Sequence, residues 1–113
     1  MSEKRNYIPK KGDIVWVYFD PSAGKEIQKR RLGLVVSRYE FNRKTMSAVI
    51  CPITSTIKKL PTRYSLPEDL DTNGQVLISQ LKSLDFKERK LKKIENLPLK
   101  DMTKIDQIIE YIF

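Results

Sequence analysis

The sequence of 113 residues contains no histidine and a single cysteine, Cys51. Zinc sites are built mainly from cysteine and histidine ligands, so the usual zinc sites are excluded. The Ser-His and Cys-His pairs of nucleophilic hydrolases are excluded for the same reason. A lone cysteine cannot form an intrachain disulfide, so nothing in the cysteine content argues for secretion.

Long apolar segments are also absent. No run is long enough to span a bilayer, and the polar segment from Met1 to Lys11 lacks the apolar core of a signal peptide. Neither a P-loop nor a Gly-x-Gly-x-x-Gly pattern occurs. We therefore expect a cytoplasmic protein with no membrane attachment, no metal and no other cofactor. If the protein is an enzyme, its chemistry must come from Arg, Lys, Asp, Glu, Thr, Ser, Gln or Tyr.

Positive charge is in excess. The chain has 22 lysine and arginine residues against 14 aspartate and glutamate residues, for a formal net charge of +8 at pH 7. The excess is uneven, because residues 25–44 include seven basic and two acidic side chains. Charge serves solubility in general, but this concentration favours a polyanionic partner, and nucleic acid is the first candidate.

The segment from Asp13 to Ser37 is typical of a strand, a long polar loop and a second strand. Residues 14–19 are mostly β-branched or aromatic, and residues 20–24 carry turn formers. The loop ends at Arg30 and Arg31, where the next strand begins. Because a hairpin needs only about two to five loop residues, this longer loop predicts a functional loop on a rigid scaffold.

The apolar periodicity of the rest of the sequence predicts further strands and one helix. A loop or helical turn is predicted at 38–44, and Pro52 is expected to mark an edge, a bulge or the end of its strand because it cannot donate to a ladder. Asp101 is a suitable N-cap for an amphipathic helix. The predicted strands are 14–19, 32–37, 45–54, 62–66 and 75–80 with its continuation to 84, and the helix is 101–113. Residues 90–97 are interpreted as a last strand, although their apolar spacing of three also fits a helix.

These elements fit one domain, residues 1–113. The predicted fold is mainly β with a C-terminal helix, arranged as a small, strongly bent β-barrel. The apolar face of the helix is expected to pack on the sheet. Cys51 lies in an apolar run without a neighbouring base, so we expect it to fill core space.

Four short motifs occur in order along the chain. They are Lys-Gly-Asp-Ile-Val-Trp-Val with Phe-Asp-Pro (11–17 and 19–21), Gly-Lys-Glu with Arg-Arg and Leu-Val-Val-Ser (24–26, 30–31 and 34–37), Cys-Pro-Ile-Thr (51–54), and Gly-Gln-Val with Ser-Gln-Leu-Lys-Ser-Leu-Asp (74–76 and 79–85). Together they resemble the MazF/PemK family of toxin endoribonucleases from bacterial toxin–antitoxin pairs.

The resemblance implies an SH3-like barrel, a homodimer and sequence-specific cleavage of single-stranded mRNA without a metal. It also implies a cognate antitoxin whose acidic C-terminal tail covers the basic grooves of the toxin. By position, the catalytic residues of the family fall on Arg31 and Thr54. Substrate contacts are implied for Gly24, Glu26, Arg30, Ser55, Gln80 and Lys82.

The residues themselves leave alternatives open. Leu32 stands where the family has proline after the catalytic arginine, and Arg30 precedes it, so Arg30 is an alternative to Arg31. Glu26 is either a general base or a salt-bridge partner of the arginines, and we favour the second. Thr54 is otherwise an ordinary strand residue, and Gln80 either contacts a base or caps a turn.

Three function classes remain open on the sequence. The first is a toxin endoribonuclease that uses the 2′-hydroxyl of RNA as its nucleophile and leaves a 2′,3′-cyclic phosphate and a 5′-hydroxyl. The second is a gyrase poison similar to CcdB, and the third is a non-catalytic RNA-binding barrel. We favour the first because of the family resemblance. The chemistry agrees with it, since an arginine fork can hold two phosphate oxygens at once while a threonine hydroxyl donates to the same group.

Overall fold

A computed structural model describes residues 7–19 and 29–113. Within these residues the chain forms seven strands, two α-helices and a 3-10 turn. The predicted turn at 20–24 lies outside them. In chain order the elements are β1 (Asp13–Val17), β2 (Arg31–Val35), α1 (Tyr39–Thr45), β3 (Ser47–Thr54), β4 (Arg63–Ser65), β5 (Gln75–Leu77), the 3-10 turn (Ile78–Gln80), β6 (Lys82–Asp85), β7 (Lys92–Asn96) and α2 (Leu99–Ile112).

All seven strands belong to one sheet with antiparallel pairing. The strand order is β4-β5-β3-β2-β1-β7, and β6 pairs with β3 beside this path. Across the described residues the ladder remains open between β4 and β7. The predicted fold class, mainly β with a C-terminal helix, is confirmed, and the segment predicted as a loop or helical turn at 38–44 forms α1.

Each face of the sheet carries an apolar cluster, because side chains along a strand alternate between faces. On one face, Ile14 and Leu34 pack with Met102 and Ile105 of α2. On the other face, the cluster is Val15, Val17, Phe19, Val35, Ala48, Ile50, Leu84 and Phe86. The helix therefore covers one face, as its apolar pattern predicted, and β1 is buried on both sides.

Pro52 lies inside β3, so the prediction of an edge, a bulge or a strand end is wrong. One side of β3 changes partner around this residue. Ile50 is the last residue paired with β6, and Ile53 is the first paired with β5. A missing N–H is tolerated here because that side of the ladder is interrupted between the two partners.

The same change of partner divides the long strand predicted over residues 75–84. β5 pairs with the C-terminal part of β3, whereas β6 pairs with its N-terminal part. The chain must cross from one part to the other, and the 3-10 turn at Ile78–Gln80 makes this crossing. Apolar alternation alone does not reveal such a crossing.

Helix α2 begins at Leu99 after Pro98, two residues earlier than predicted, so the assignment of Asp101 as N-cap is wrong. Asp101 lies in the first turn, is 5% exposed and accepts a hydrogen bond from the Tyr64 hydroxyl. Desolvation and the adjacent Asp101 carboxylate raise the pKa of Tyr64 to about 12. Asp101 therefore ties α2 to β4. No helix in the described ranges is long and apolar enough to cross a membrane.

Cys51 is fully buried in β3, on the face that α2 covers. Burial raises the pKa of its thiol to about 12. Because the thiolate is the nucleophilic form, this residue packs the core, as predicted, and is not activated for chemistry.

Glu95 of β7 anchors the loop that leads into β5. Its carboxylate accepts hydrogen bonds from the amide and hydroxyl of Thr72, at 2.7 and 2.5 Å, and from the amide of Asp71 at 3.2 Å. Desolvation alone would raise the pKa of Glu95, but these three hydrogen bonds outweigh it and lower the pKa below its ordinary value. The ionised carboxylate therefore stabilises the folded loop.

We predict that Glu95→Gln lowers the free energy of unfolding by about 1 kcal/mol at pH 7. The pKa of Glu95 is lower in the folded state than in the unfolded state. The stabilisation is therefore complete above the unfolded-state value, near 4.5, and is lost as the pH falls through the folded-state value. Urea unfolding from pH 7 to pH 3 measures this, with the exposed Glu110→Gln as control. An equal difference between wild type and Glu95→Gln at every pH would contradict the prediction.

Candidate active site

The register between β2 and β3 places Arg31 beside Thr54. Gly33 pairs with Pro52 and Leu34 pairs with Cys51. Continuing this antiparallel register by two residues aligns Arg31, the first residue of β2, with Thr54, the last residue of β3. The paired residues end at Gly33 and Pro52. Because side chains alternate along a strand, Arg31 and Thr54 project from the same face of the sheet, each at the end of its strand.

This pair belongs to a row of side chains that crosses five strands. Val17 of β1 pairs with Arg31, Thr54 pairs with Gln75 of β5, and Gln75 pairs with Ser65 of β4. Arg31 and Ser65 are exposed, Thr54 is half-buried and Gln75 is only 5% exposed. Paired strands lie about 4.8 Å apart, so the Thr54 hydroxyl and the Gln75 amide are close to each other. The Arg31 cation lies on the same face, at the end of β2.

The guanidinium of Arg31 lies over the ring of Phe19, with Cζ 5.9 Å from the ring centroid. Phe19 is 5% exposed, so the ring is a fixed support for a solvent-facing cation. The Arg31 side chain is exposed above this ring, so its N–H groups can donate to an anion from solvent.

Arg30 projects to the other face of the sheet. Its Cζ lies 4.6 Å from the centroid of the Trp16 ring. Trp16 pairs with Leu32, whose side chain packs against the cluster that α2 covers. Thr54 therefore shares its face with Arg31 and not with Arg30, which favours Arg31 between the two arginines that the sequence left open.

The Thr54 hydroxyl is oriented by the chain that follows it. Its Oγ1 accepts a hydrogen bond of 3.1 Å from the amide of Thr56. That bond uses one lone pair, so the hydroxyl proton remains available to donate. Thr54 can therefore donate to an anionic oxygen that binds beside the Arg31 guanidinium.

Gln75 is a residue of this row that sequence analysis missed. Its Oε1 accepts from the amide of Lys58 at 3.0 Å and from Arg63 Nη1 at 3.2 Å, while Nε2 donates to the Ser65 hydroxyl at 3.0 Å. A buried amide with these partners rigidifies the strands beside Thr54. The only sequence signal was its place beside Gly74 in a family motif.

Gly74 allows the chain to approach Thr54 closely. Its φ angle is +125°, and a Cβ at this position would collide with the Thr54 carbonyl oxygen. Only glycine combines this backbone conformation with this contact. Gly74 therefore helps to determine where Thr54 lies.

The other predicted contact residues are more dispersed. Ser55 is exposed directly after β3, and Gln80 is exposed at the end of the 3-10 turn. Lys82 is exposed opposite Ile50, so it shares the face of Arg31 and Thr54, about 13 Å further along the sheet. Gly24 and Glu26 lie outside the described residues.

The five-residue row itself contains no carboxylate, and its chemistry is that of a cation beside a hydroxyl. Such a pair binds one phosphate group and stabilises negative charge that develops on it. Among residues 7–19 and 29–113, no three His, Cys, Asp or Glu side chains cluster as metal ligands. The fold and this row together define a small β-sheet domain with a cation and a hydroxyl on one face, at the ends of two central strands.

Comparison with known proteins identifies the family. The family model described as "PemK-like, MazF-like toxin of type II toxin-antitoxin system" matches residues 10–113. The endoribonuclease toxin MazF of Escherichia coli K12 is 34% identical over 83 residues, which is 74% of each chain. MazF from Deinococcus radiodurans superposes with a TM-score of 0.83 at 32% identity, covering 95% of this chain and 97% of that one.

A second structure from Deinococcus radiodurans, a MazE–MazF complex, gives a TM-score of 0.86 at 32% identity, covering 95% and 96% of the two chains. The present chain belongs to the PemK-like, MazF-like toxins of type II toxin–antitoxin systems. The resemblance inferred from the four motifs is therefore confirmed. Because the relatives are named endoribonucleases, the first of the three function classes is supported over the other two.

We predict that Gly74→Ala destabilises the protein more than Gly12→Ala. Both glycines have positive φ angles, +125° and +97°, but a Cβ at Gly12 meets only ordinary contacts at 3.5 Å and beyond. Gly12→Ala therefore measures the conformational cost, about 1 kcal/mol, and Gly74→Ala adds the collision with Thr54. Urea unfolding measures both costs, and amide exchange at Thr56 reports on Thr54. Equal unfolding free energies would contradict the predicted collision.

Proposed function

We propose that this toxin cleaves single-stranded mRNA at a phosphodiester held between Arg31 and Thr54, without a metal ion. The observation that carries the proposal is the β2–β3 register, which aligns these two residues on one face of the sheet. The names of the relatives support the activity, and the shared face of Arg31 and Thr54 supports the assignment to these two residues.

The proposed reaction is a transesterification within the RNA. The 2′-oxygen forms a bond to phosphorus while the bond from phosphorus to the 5′-oxygen breaks. The 2′-hydroxyl loses its proton and the departing 5′-oxygen gains one, so the products are a 2′,3′-cyclic phosphate and a 5′-hydroxyl. The transition state carries extra negative charge on the non-bridging oxygens.

In this proposal Arg31 supplies electrostatic stabilisation. A guanidinium stays protonated at neutral pH and is a poor proton acceptor. Its two parallel N–H groups fit two oxygens of one phosphate. Because Phe19 fixes the guanidinium before substrate binds, little reorganisation is needed as charge develops.

Thr54 supplies a second donor to the same phosphate. One of its lone pairs accepts from the Thr56 amide, and its proton remains available to donate to the phosphate. A hydroxyl and a guanidinium from adjacent strands hold the phosphate from two directions. This restricts its orientation for in-line attack by the 2′-oxygen.

RNA contacts outside the reacting phosphate come from residues around the row. The net charge of +8 supplies a general attraction to the RNA backbone. Lys82 shares the face of the row, and Arg30 lies at the same edge on the opposite face. We keep Gly24, Glu26, Arg30, Ser55, Gln80 and Lys82 as predicted substrate contacts, with Glu26 a salt-bridge partner rather than a base.

An antitoxin is the expected protein partner, since a relative was solved as a MazE–MazF complex. An acidic tail that folds on the basic surface would compete with RNA for the same charges. We propose the cytoplasm as the site of action, because messenger RNA and an antitoxin are met there. A homodimer stays a prediction from the family resemblance.

We predict that Arg31→Ala lowers kcat for RNA cleavage by about 10²–10³-fold, as expected for loss of a transition-state donor. Thr54→Ala also lowers kcat, whereas Thr54→Ser keeps the hydroxyl and most of the rate. Arg30→Ala removes the same charge from the other face, so it raises KM with kcat largely unchanged. Single-turnover cleavage of a long RNA in EDTA, with analysis of the ends, measures these effects.

Cleavage that persists in EDTA and leaves cyclic phosphate ends agrees with the proposal. RNA that is bound but stays intact would indicate a non-catalytic barrel instead. Intact RNA together with gyrase-dependent DNA breaks would indicate a gyrase poison. A kcat that falls with Arg30→Ala but not with Arg31→Ala would move the catalytic assignment to Arg30.

A further inference from the structure

The turn between β6 and β7 is held by its own hydrogen bonds. Asp85 Oδ1 accepts from the amides of Lys87 at 2.9 Å and Glu88 at 3.2 Å. The Asp85 carbonyl accepts from the amide of Arg89 at 3.2 Å. The backbone of Arg89 therefore has a fixed position at the end of this turn.

From that position Arg89 contacts the chain just after β1. The Tyr18 amide donates to the Arg89 carbonyl at 3.2 Å. In return, Arg89 Nη1 donates to the carbonyls of Tyr18, at 3.1 Å, and Phe19. One arginine thus satisfies three backbone groups of Tyr18 and Phe19, in the segment that leaves the sheet.

Phe19 depends on these contacts because it lies beyond the pairing of β1. The ladder with β2 ends at Val17, and the ladder with β7 ends at Trp16. On its other side the ring packs closely on Gly33, where a Cβ would lie 3.2 Å from Phe19 Cζ. Arg89 and the gap left by Gly33 together fix the ring that lies under Arg31.

We infer that Arg89 is a positioning residue for RNA cleavage, acting through Phe19 on the Arg31 guanidinium. The inference rests on the proposed function of Arg31. Arg89 directs its guanidinium to backbone carbonyls and is not directed at the phosphate. Both hydrogen bonds come from Nη1, whose two N–H groups are held in the plane of the guanidinium. A lysine would carry the same charge, but its ammonium rotates at the end of a flexible stem and does not fix the two carbonyls in the same way.

Loss of Arg89 frees Phe19 and lets the Arg31 guanidinium move away from the reacting phosphate. A displacement of about 1 Å in an active site can lower the rate about 10²-fold. We therefore expect Arg89→Met to lower kcat by about 10–100-fold and Arg89→Lys to fall between Arg89→Met and wild type. The matched control is Lys87→Met, which removes one exposed charge from the same turn. Its kcat should equal that of wild type, and KM should be similar in both methionine variants.

The decisive experiment is a double-mutant cycle on kcat with Arg31→Ala and Arg89→Met, measured by single-turnover RNA cleavage. If Arg89 acts through Arg31, Arg89→Met has almost no further effect once Arg31 is alanine. The same fold-loss in both backgrounds would overturn the inference, and so would an Arg89→Met kcat equal to that of Lys87→Met. If Arg89→Met does not fold, Arg89→Lys takes its place in the cycle.

The cycle also separates the role of Arg89 from that of Arg31. If Arg31→Ala itself leaves kcat unchanged, the proposed function of Arg31 fails, and the inference fails with it. If Arg31→Ala is impaired and the two losses multiply, only the role of Arg89 fails. A melting temperature within a few degrees of wild type for each variant ensures that kcat reports on the site.

Discussion

The antiparallel register between β2 and β3 is the constraint on which the site depends. Successive residues of a strand alternate between faces, so a slip of one residue would place Arg31 and Thr54 on opposite sides of the sheet. The apolar residues that follow Arg31 pin the register, because Leu34 and Val35 are each fully buried on a different face. The free energy that holds the site together is therefore the burial of core residues that take no part in chemistry.

Two close contacts at glycine residues further fix the positions of the side chains that the register aligns. Gly33 leaves room for the Phe19 ring, and Gly74 lets the chain lie against the Thr54 carbonyl. Each position needs the absence of a side chain, because a Cβ there would press on Phe19 or on the Thr54 carbonyl. The site lies at the ends of strands, where side chains reach solvent while the backbone is still held by the sheet.

Much of this arrangement could be predicted from the sequence. The strands, the terminal helix packed on the sheet and the core position of Cys51 were predicted from apolar patterning, and the motifs singled out Arg31 and Thr54 as candidates. Contacts between residues far apart in the sequence could not be predicted. Arg89 bonds to Tyr18 across 71 residues, and Gln75 bonds to Ser65 across ten. Neither contact leaves a pattern in the sequence around these residues. Asp101 was predicted to be an N-cap because aspartate is common at helix starts. In the structure it lies in the first turn and accepts a hydrogen bond from Tyr64, a partner that the local sequence does not reveal. The chain crosses between β5 and β6 because both strands pair with β3. The apolar periodicity of the sequence does not reveal this shared partner.

The central claim is that Arg31 and Thr54 hold one RNA phosphate together. The most direct measurement is an NMR titration with an uncleavable oligonucleotide in which the 2′-hydroxyl at the mapped cleavage site is replaced by hydrogen. We predict that the Arg31 side-chain N–H signals and the Thr54 amide signal shift together, with one common Kd. A titration in which only one of the two residues responds, or in which they respond with different Kd values, would contradict the claim.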